Sequence, residues 1–219
     1  MYLRGGREGR EVILKLAYQL FHIKGVSADR DNAASVVEAT LDLPSLNSPT
    51  MSSQVPCPLY FTKHFKPGEV GLWHSTVVAL NNFIESDFDA LLILEDDIVL
   101  HEGFLAKSRE YVERAPEGWS YFYQYIHPWQ QENNFNPACE IGDEYLCRSY
   151  QVWSNACFWV SRKGAQALLE AVAKNPIDEA VDWYILKRGM TREWDVYSLR
   201  PQVKAYCHIG GFETTIQNS

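Results

Sequence analysis

"LLILEDDIVL", Leu91 to Leu100, is an apolar run broken by three consecutive acids, Glu95, Asp96 and Asp97, before it turns apolar again. Carboxylates are among the residues least often found inside a protein, and burying one unpaired is costly. Either these acids emerge at a strand end or something positive sits on them. Read with the residues before it, "FDALLILED" is a continuous apolar run and predicts a central strand covered on both faces. Side chains alternate along an extended chain, so Glu95 and Asp97 are expected on one side and Asp96 on the other. The C-terminal end of a buried strand is where open α/β sheets bind ligands. Oxygen donors of this kind suit Mg²⁺ or Mn²⁺, and an ion held by one or two carboxylates keeps positions for water or diphosphate oxygens.

Upstream, "KPGEVGLWHSTVVALNNFIES" places Val70, Trp73, Val77, Leu80 and Ile84 on one stripe, the spacing of an amphipathic helix. Arg10 to Phe21 also has helical spacing, at Val12, Leu16, Gln19 and Leu20, and runs into a short strand, "FHIKGVSA". "DNAASVVEATLDL" predicts another helix capped by Asp31, and the Pro- and Ser-rich stretch from Leu43 to Pro67 predicts a loop. Downstream, "GFLAKSREYVERA" predicts a helix, and "GWSYFYQYI" and "QVWSNACFWV" predict strands. "SRKGAQALLEAVAKN" predicts a helix starting near Ser161, and "DEAVDWYILKRG" one stopped by Gly189. The tail "DVYSLRPQVKAYCHIGG" is expected to be extended. Strands alternating with helices predict an α/β layered fold.

The chain has 219 residues, within the range of one domain, and 46% of them are hydrophobic, enough for a sizeable core. The net charge of −8 argues against a general nucleic-acid binder, which needs a basic footprint. No stretch reaches the ~20 apolar residues of a membrane span, and no signal-peptide pattern opens the chain. Five cysteines without a C-x-x-C pair argue against a zinc site. Cys139 and Cys147 are either a loop bridge or two thiols. The compartment stays open between cytoplasm and secretory lumen.

"KPGEVGLWHSTVVALNNFIESDFDALLILEDDIVL" resembles the family 25 glycosyltransferases, the lipooligosaccharide and collagen galactosyltransferase group. Gly68, Glu69, Val70 and Gly71 match that family's helix start, and Glu95-Asp96-Asp97 its acidic metal motif. Ser75 matches the serine of its Ser-His pair, with Thr76 where the histidine stands and His74 one position early. "FWVSRKGAQALLEAVAKNPIDEAVDWY" is similar to the family's strand, Ser-x-x-Gly-Ala helix and Val-Asp element, the last at Val181-Asp182. The resemblance covers roughly residues 66 to 185. It implies a GT-A fold: one Rossmann-like domain over residues 1–219, with a mostly parallel central sheet flanked by helices. It further implies a nucleotide-sugar donor such as UDP-galactose, Mn²⁺ or Mg²⁺ as cofactor, and a saccharide or glycoprotein acceptor. Of the family's first strand, with its Asn-Leu and arginine, "MYLRGGREGR" offers only Leu3 and Arg10.

The tail "CHIGGFETT" is similar to the His-x-Gly ending of N-acetylglucosaminyltransferases that branch N-glycans. That makes His208 a candidate metal ligand reaching Asp97; a packed histidine is the competing role. The expected division of labour is then clear. Asp97, Glu95 and His208 hold the metal; Glu95, Asp96, Arg10 and Ser75 hold the donor. Asp182 is the expected base for inverting transfer, with Asp178, four residues earlier, as reserve or helix cap. Trp153, Trp183 and Tyr184 are candidate acceptor walls or core. The rival expectation is a non-catalytic nucleotide-sugar or glycan-binding module on the same fold.

Overall fold

A computed structural model of the chain describes residues 16–21, 59–95, 97–125, 127, 140–149 and 154–210. In chain order the elements are β1 (Leu16–Phe21), α1 (Pro67–Glu85), β2 (Ala90–Glu95), β3 (Ile98–Leu100) and α2 (Phe104–Glu113). They continue with β4 (Tyr121–Tyr123), β5 (Leu146–Arg148), β6 (Cys157–Ser161), α3 (Arg162–Lys174), α4 (Val181–Met190), β7 (Val196–Leu199) and β8 (Cys207–Ile209). The helix expected from Asp31, the strand after Phe21, Arg10, Asp96, Cys57, Cys139 and Trp153 lie outside the described residues.

The quoted run is the centre of the molecule. Leu91 and Ile93 face one hydrophobic cluster; Ala90, Leu92 and Leu94 face another. All five are buried, as expected of a strand covered on both sides. Burying each leucine or isoleucine side chain contributes about 1.5–3 kcal/mol. On the first face α1, α3 and α4 pack over Tyr121, Tyr123, Phe158 and Val160. On the second, α2 and the β3–β8 ladder cover Phe122, Cys157 and Trp159.

The large sheet has the order β1-β2-β6-β4-β7-β5, and β3 and β8 form a separate ladder. It is mixed rather than mostly parallel: β1–β2 and β4–β7 are parallel, whereas β6 runs against both β2 and β4, and β5 against β7. The cause is where the chain arrives. Ala156 meets the C-terminal end of β2, its carbonyl accepting from Glu95 N–H at 3.0 Å, so β6 starts at that edge and must run back. A parallel strand would need a crossover to the opposite edge.

Local chemistry explains most boundaries. Trp73, Val77 and Leu80 on α1 are fully buried, and Val70 and Ile84 pack beside them. Glu69 accepts from Lys66 N–H at 2.8 Å, closing the first turn of α1. Ser161 caps α3 by accepting from Gly164 N–H at 3.1 Å. Gly164 is required because a Cβ there would come within 2.8 Å of the Ser120 carbonyl carbon. The Ser-x-x-Gly-Ala pattern is thus a cap plus a close approach.

Three expectations are corrected. Residues 16–21 are strand, not helix, pairing in parallel with β2 from Leu16↔Ala90 to Phe21↔Glu95. So short an apolar run carries no decisive period, and pairing with a central strand overrides local preference. Gly189 does not stop α4, which continues to Met190; it is glycine because a Cβ would sit 2.8 Å from Val196 Cβ. Asp178 is neither the cap of α4 nor on a helical face with Asp182, since the cap position is Ala180.

Candidate functional site

α1 runs into β2 through a short turn, so it lies antiparallel to β2 and its first turn overhangs the end at Glu95. β4 points the same way as β2, because both run against β6. α4 leads into β7, parallel to β4, so the first turn of α4 reaches the same edge. Trp73 joins the two helix starts: its indole N–H donates to the Glu179 carbonyl at 2.9 Å, and its ring meets Tyr184 edge-on at 5.1 Å. The ends of β2 and β4 are separated by one strand, about 10 Å at ~4.8 Å per strand spacing. Carboxylates flank that gap on both sides.

On the β2 side, Glu95 is half-buried and Asp97 is buried. The chain does not stay extended through them: β2 ends at Glu95, Asp97 lies in a turn, and β3 starts a second ladder. The alternation argument for a shared side therefore lapses. The expected return of the tail is present as backbone geometry. β8 pairs antiparallel with β3, His208 lies opposite Val99, and Gly210 N–H donates to the Asp97 carbonyl at 2.8 Å. The His208 ring, however, is exposed and engaged with His101, Nδ1 to Nε2 at 2.6 Å.

Among the described residues no group of three or more His, Cys, Asp and Glu is placed to hold a metal ion. The strand end offers two carboxylates. That donor set fits a hard divalent ion taking most of its ligands from water and diphosphate oxygens, as Mg²⁺ does. It does not fit a closed site built wholly from protein.

On the β4 side stands Asp182, in the first turn of α4, accepting from Trp183 N–H at 2.8 Å. Burial holds its carboxyl above the usual aspartate range; backbone hydrogen bonds from Trp183 and Asp182 pull it back only in part, and Glu69 and Glu179 push it further up. Lys187 and Lys63 both pair with Glu179. Among the described residues no cation pairs with Asp182. A half-buried carboxylate with Glu69 and Glu179 nearby is poised to take a proton.

Two buried polar atoms that sequence reasoning missed lie at this edge. The Tyr123 hydroxyl, at the end of β4, has no hydrogen-bond partner among the described residues. Burial raises its pKa well above the ordinary tyrosine value, and the Asp182 charge adds to this. Asn155 is buried beside Ala156, and among the described residues its Oδ1 also has no hydrogen-bond partner. Buried polar groups are nearly always satisfied, so such exceptions draw attention to a site. Neither stands in a motif; only the strand register brings them here.

The remaining candidates are dispersed. Ser75 is half-buried on α1, and Thr76 faces inward with its hydroxyl donating to the Leu72 carbonyl at 2.8 Å. Tyr184 is core and Trp183 is half-buried. Cys147 is buried on β5 with its sulfur 3.6 Å from Ser198 Oγ.

No family model matches the chain, and no curated protein matches it in sequence. Among solved structures it is similar to the crystal structure of A197 from STIV, with 15% identity and a TM-score of 0.44 over 92% of this chain and 97% of that one. That similarity is too low to carry function from one chain to the other. The site is read from its own residues.

Proposed function

We propose that the chain is a glycosyltransferase on a GT-A-type fold, moving a sugar, with galactose favoured, from a nucleoside diphosphate sugar to an acceptor hydroxyl with inversion. The observation that carries this reading is the strand order, which puts the first turn of α4, bearing Asp182, at the same edge of the sheet as the Glu95–Asp97 strand end. Glu95 and Asp97 are the residues that would hold Mn²⁺ or Mg²⁺. When bound, that ion screens the diphosphate and stabilises the charge growing on the leaving group.

Asp182 takes the acceptor proton as the hydroxyl oxygen attacks the anomeric carbon. A carboxyl held above its usual range is a stronger base than an ordinary aspartate, and such positioned bases contribute typically 10²–10⁴-fold.

The direct test is a thermal-shift screen of nucleotide sugars in the presence of Mn²⁺. A ligand at 100 times its Kd stabilises the folded state by about 2.7 kcal/mol, so UDP-galactose should raise Tm in a metal-dependent way. If no nucleotide or nucleotide sugar shifts Tm, with or without Mn²⁺, the reading is wrong. Binding without any release of UDP from the sugar would instead mark a non-catalytic binding protein.

A further inference from the structure

We propose that His101 and His208 form a cross-strand site for a borderline divalent transition-metal ion, of the Zn²⁺ or Ni²⁺ class that imidazole favours. The site is separate from the carboxylates of the strand end. In the β3–β8 ladder, Val99 lies opposite His208, and His101 N–H donates to the Tyr206 carbonyl at 2.9 Å. His101 and His208 are therefore diagonal neighbours, within reach across an antiparallel pair. Ile98 and Cys207 turn the ladder's other face into the core, leaving the imidazoles outward.

The side-chain geometry converges. Nε2 of His101 and Nδ1 of His208 are 2.6 Å apart, with ring centroids at 4.9 Å and planes tilted by 57°. Around a tetrahedral ion at the usual Zn–N distance, two nitrogens stand about 3.3 Å apart. The rings need only open by less than ~1 Å to admit the ion between them. Backbone bonds on either side, His101 N–H to Tyr206 and Gly210 N–H to Asp97, hold the two strands in register and so preorganise the pair.

Metal binding requires neutral imidazole. Burial, His208 and Lys204 all lower the proton affinity of His101 and so favour that form. Lys204 also repels an incoming cation, and its Nζ lies 4.7 Å from the Tyr206 ring centroid. Two protein ligands leave the rest of the shell to water. The bound ion clips β8 to the strand that leaves the acidic turn.

Titration calorimetry with ZnCl₂ or NiCl₂ alone, on the full chain, tests this. Wild type should bind an ion at this pair, and His101→Ala and His208→Ala should each weaken binding at least tenfold. Lys204→Ala should tighten it. His101→Asn and His208→Asn, which keep similar side-chain size, serve in place of any alanine variant that fails to fold. Retention of binding in His101→Ala overturns the proposal. Loss in His208→Ala and Asp97→Asn but not in His101→Ala overturns it too, by placing His208 in the carboxylate site.

Discussion

Asp182 concentrates the chemistry of the site in one carboxyl, and its environment sets two opposed effects of removing it. Asp182→Asn should lower transfer by about 10²–10⁴-fold, the usual contribution of a positioned base, while nucleotide-sugar binding persists; steady-state rates and calorimetry check both halves. The stability effect has the opposite sign. The folded-state pKa of Asp182 lies above its unfolded value, so between the two the native state holds more protons, and stability falls as pH rises through that window. Above it, Asp182→Asn should melt no lower than wild type, whereas below it the advantage disappears; melting curves across pH read this directly. Tyr123→Phe removes a buried hydroxyl that has no hydrogen-bond partner among the described residues. Stability should change by less than about 1 kcal/mol, because no bond to a described residue is lost, as melting curves would show. Asp182 and the three acids were visible as residues in the sequence. Tyr123, Asn155 and His101 were not, because what makes them notable is burial and a cross-strand neighbour: His101 meets a residue 107 positions away.

Elements were legible where one signal dominated. The stripe on α1, the all-apolar β2 and the Ser161 cap of α3 each follow from residues a few positions apart. The helical spacing at Val12, Leu16, Gln19 and Leu20 misled because pairing with a central strand overrides local preference. Gly189 misled for a different reason: helix-ending glycines and close-packed glycines look identical until the partner, here Val196, is known. Gly164 shows the same physics in a place where the sequence motif was correct. Gly164→Ala should destabilise by about 1–3 kcal/mol, the usual range for overpacking, because the Ser120 backbone it meets cannot move aside like a side-chain tip. Chemical denaturation, with an unchanged m-value, would show it. Gln166→Gly, exposed on the same helix, leaves that contact alone and serves as the control for helix propensity, about 1 kcal/mol.

At the scale of the whole molecule, alternating strands and helices announced an α/β layered protein, but not the order β1-β2-β6-β4-β7-β5 or the reversed direction of β6. Strand order depends on which edge each connection reaches, and residue spacing does not encode that. The order matters because it places the ends of β2 and β4 on one edge, with the first turns of α1 and α4 above them. The account's central claim is that this edge is a transferase centre divided between Asp97 and Asp182. The most direct measurement is UDP release from UDP-galactose with Mn²⁺, in wild type, Asp97→Asn and Asp182→Asn, alongside binding of UDP to each. The account predicts metal-dependent release by wild type, loss of metal-dependent UDP binding in Asp97→Asn, and intact binding without release in Asp182→Asn. Wild-type release rates in either variant would contradict it.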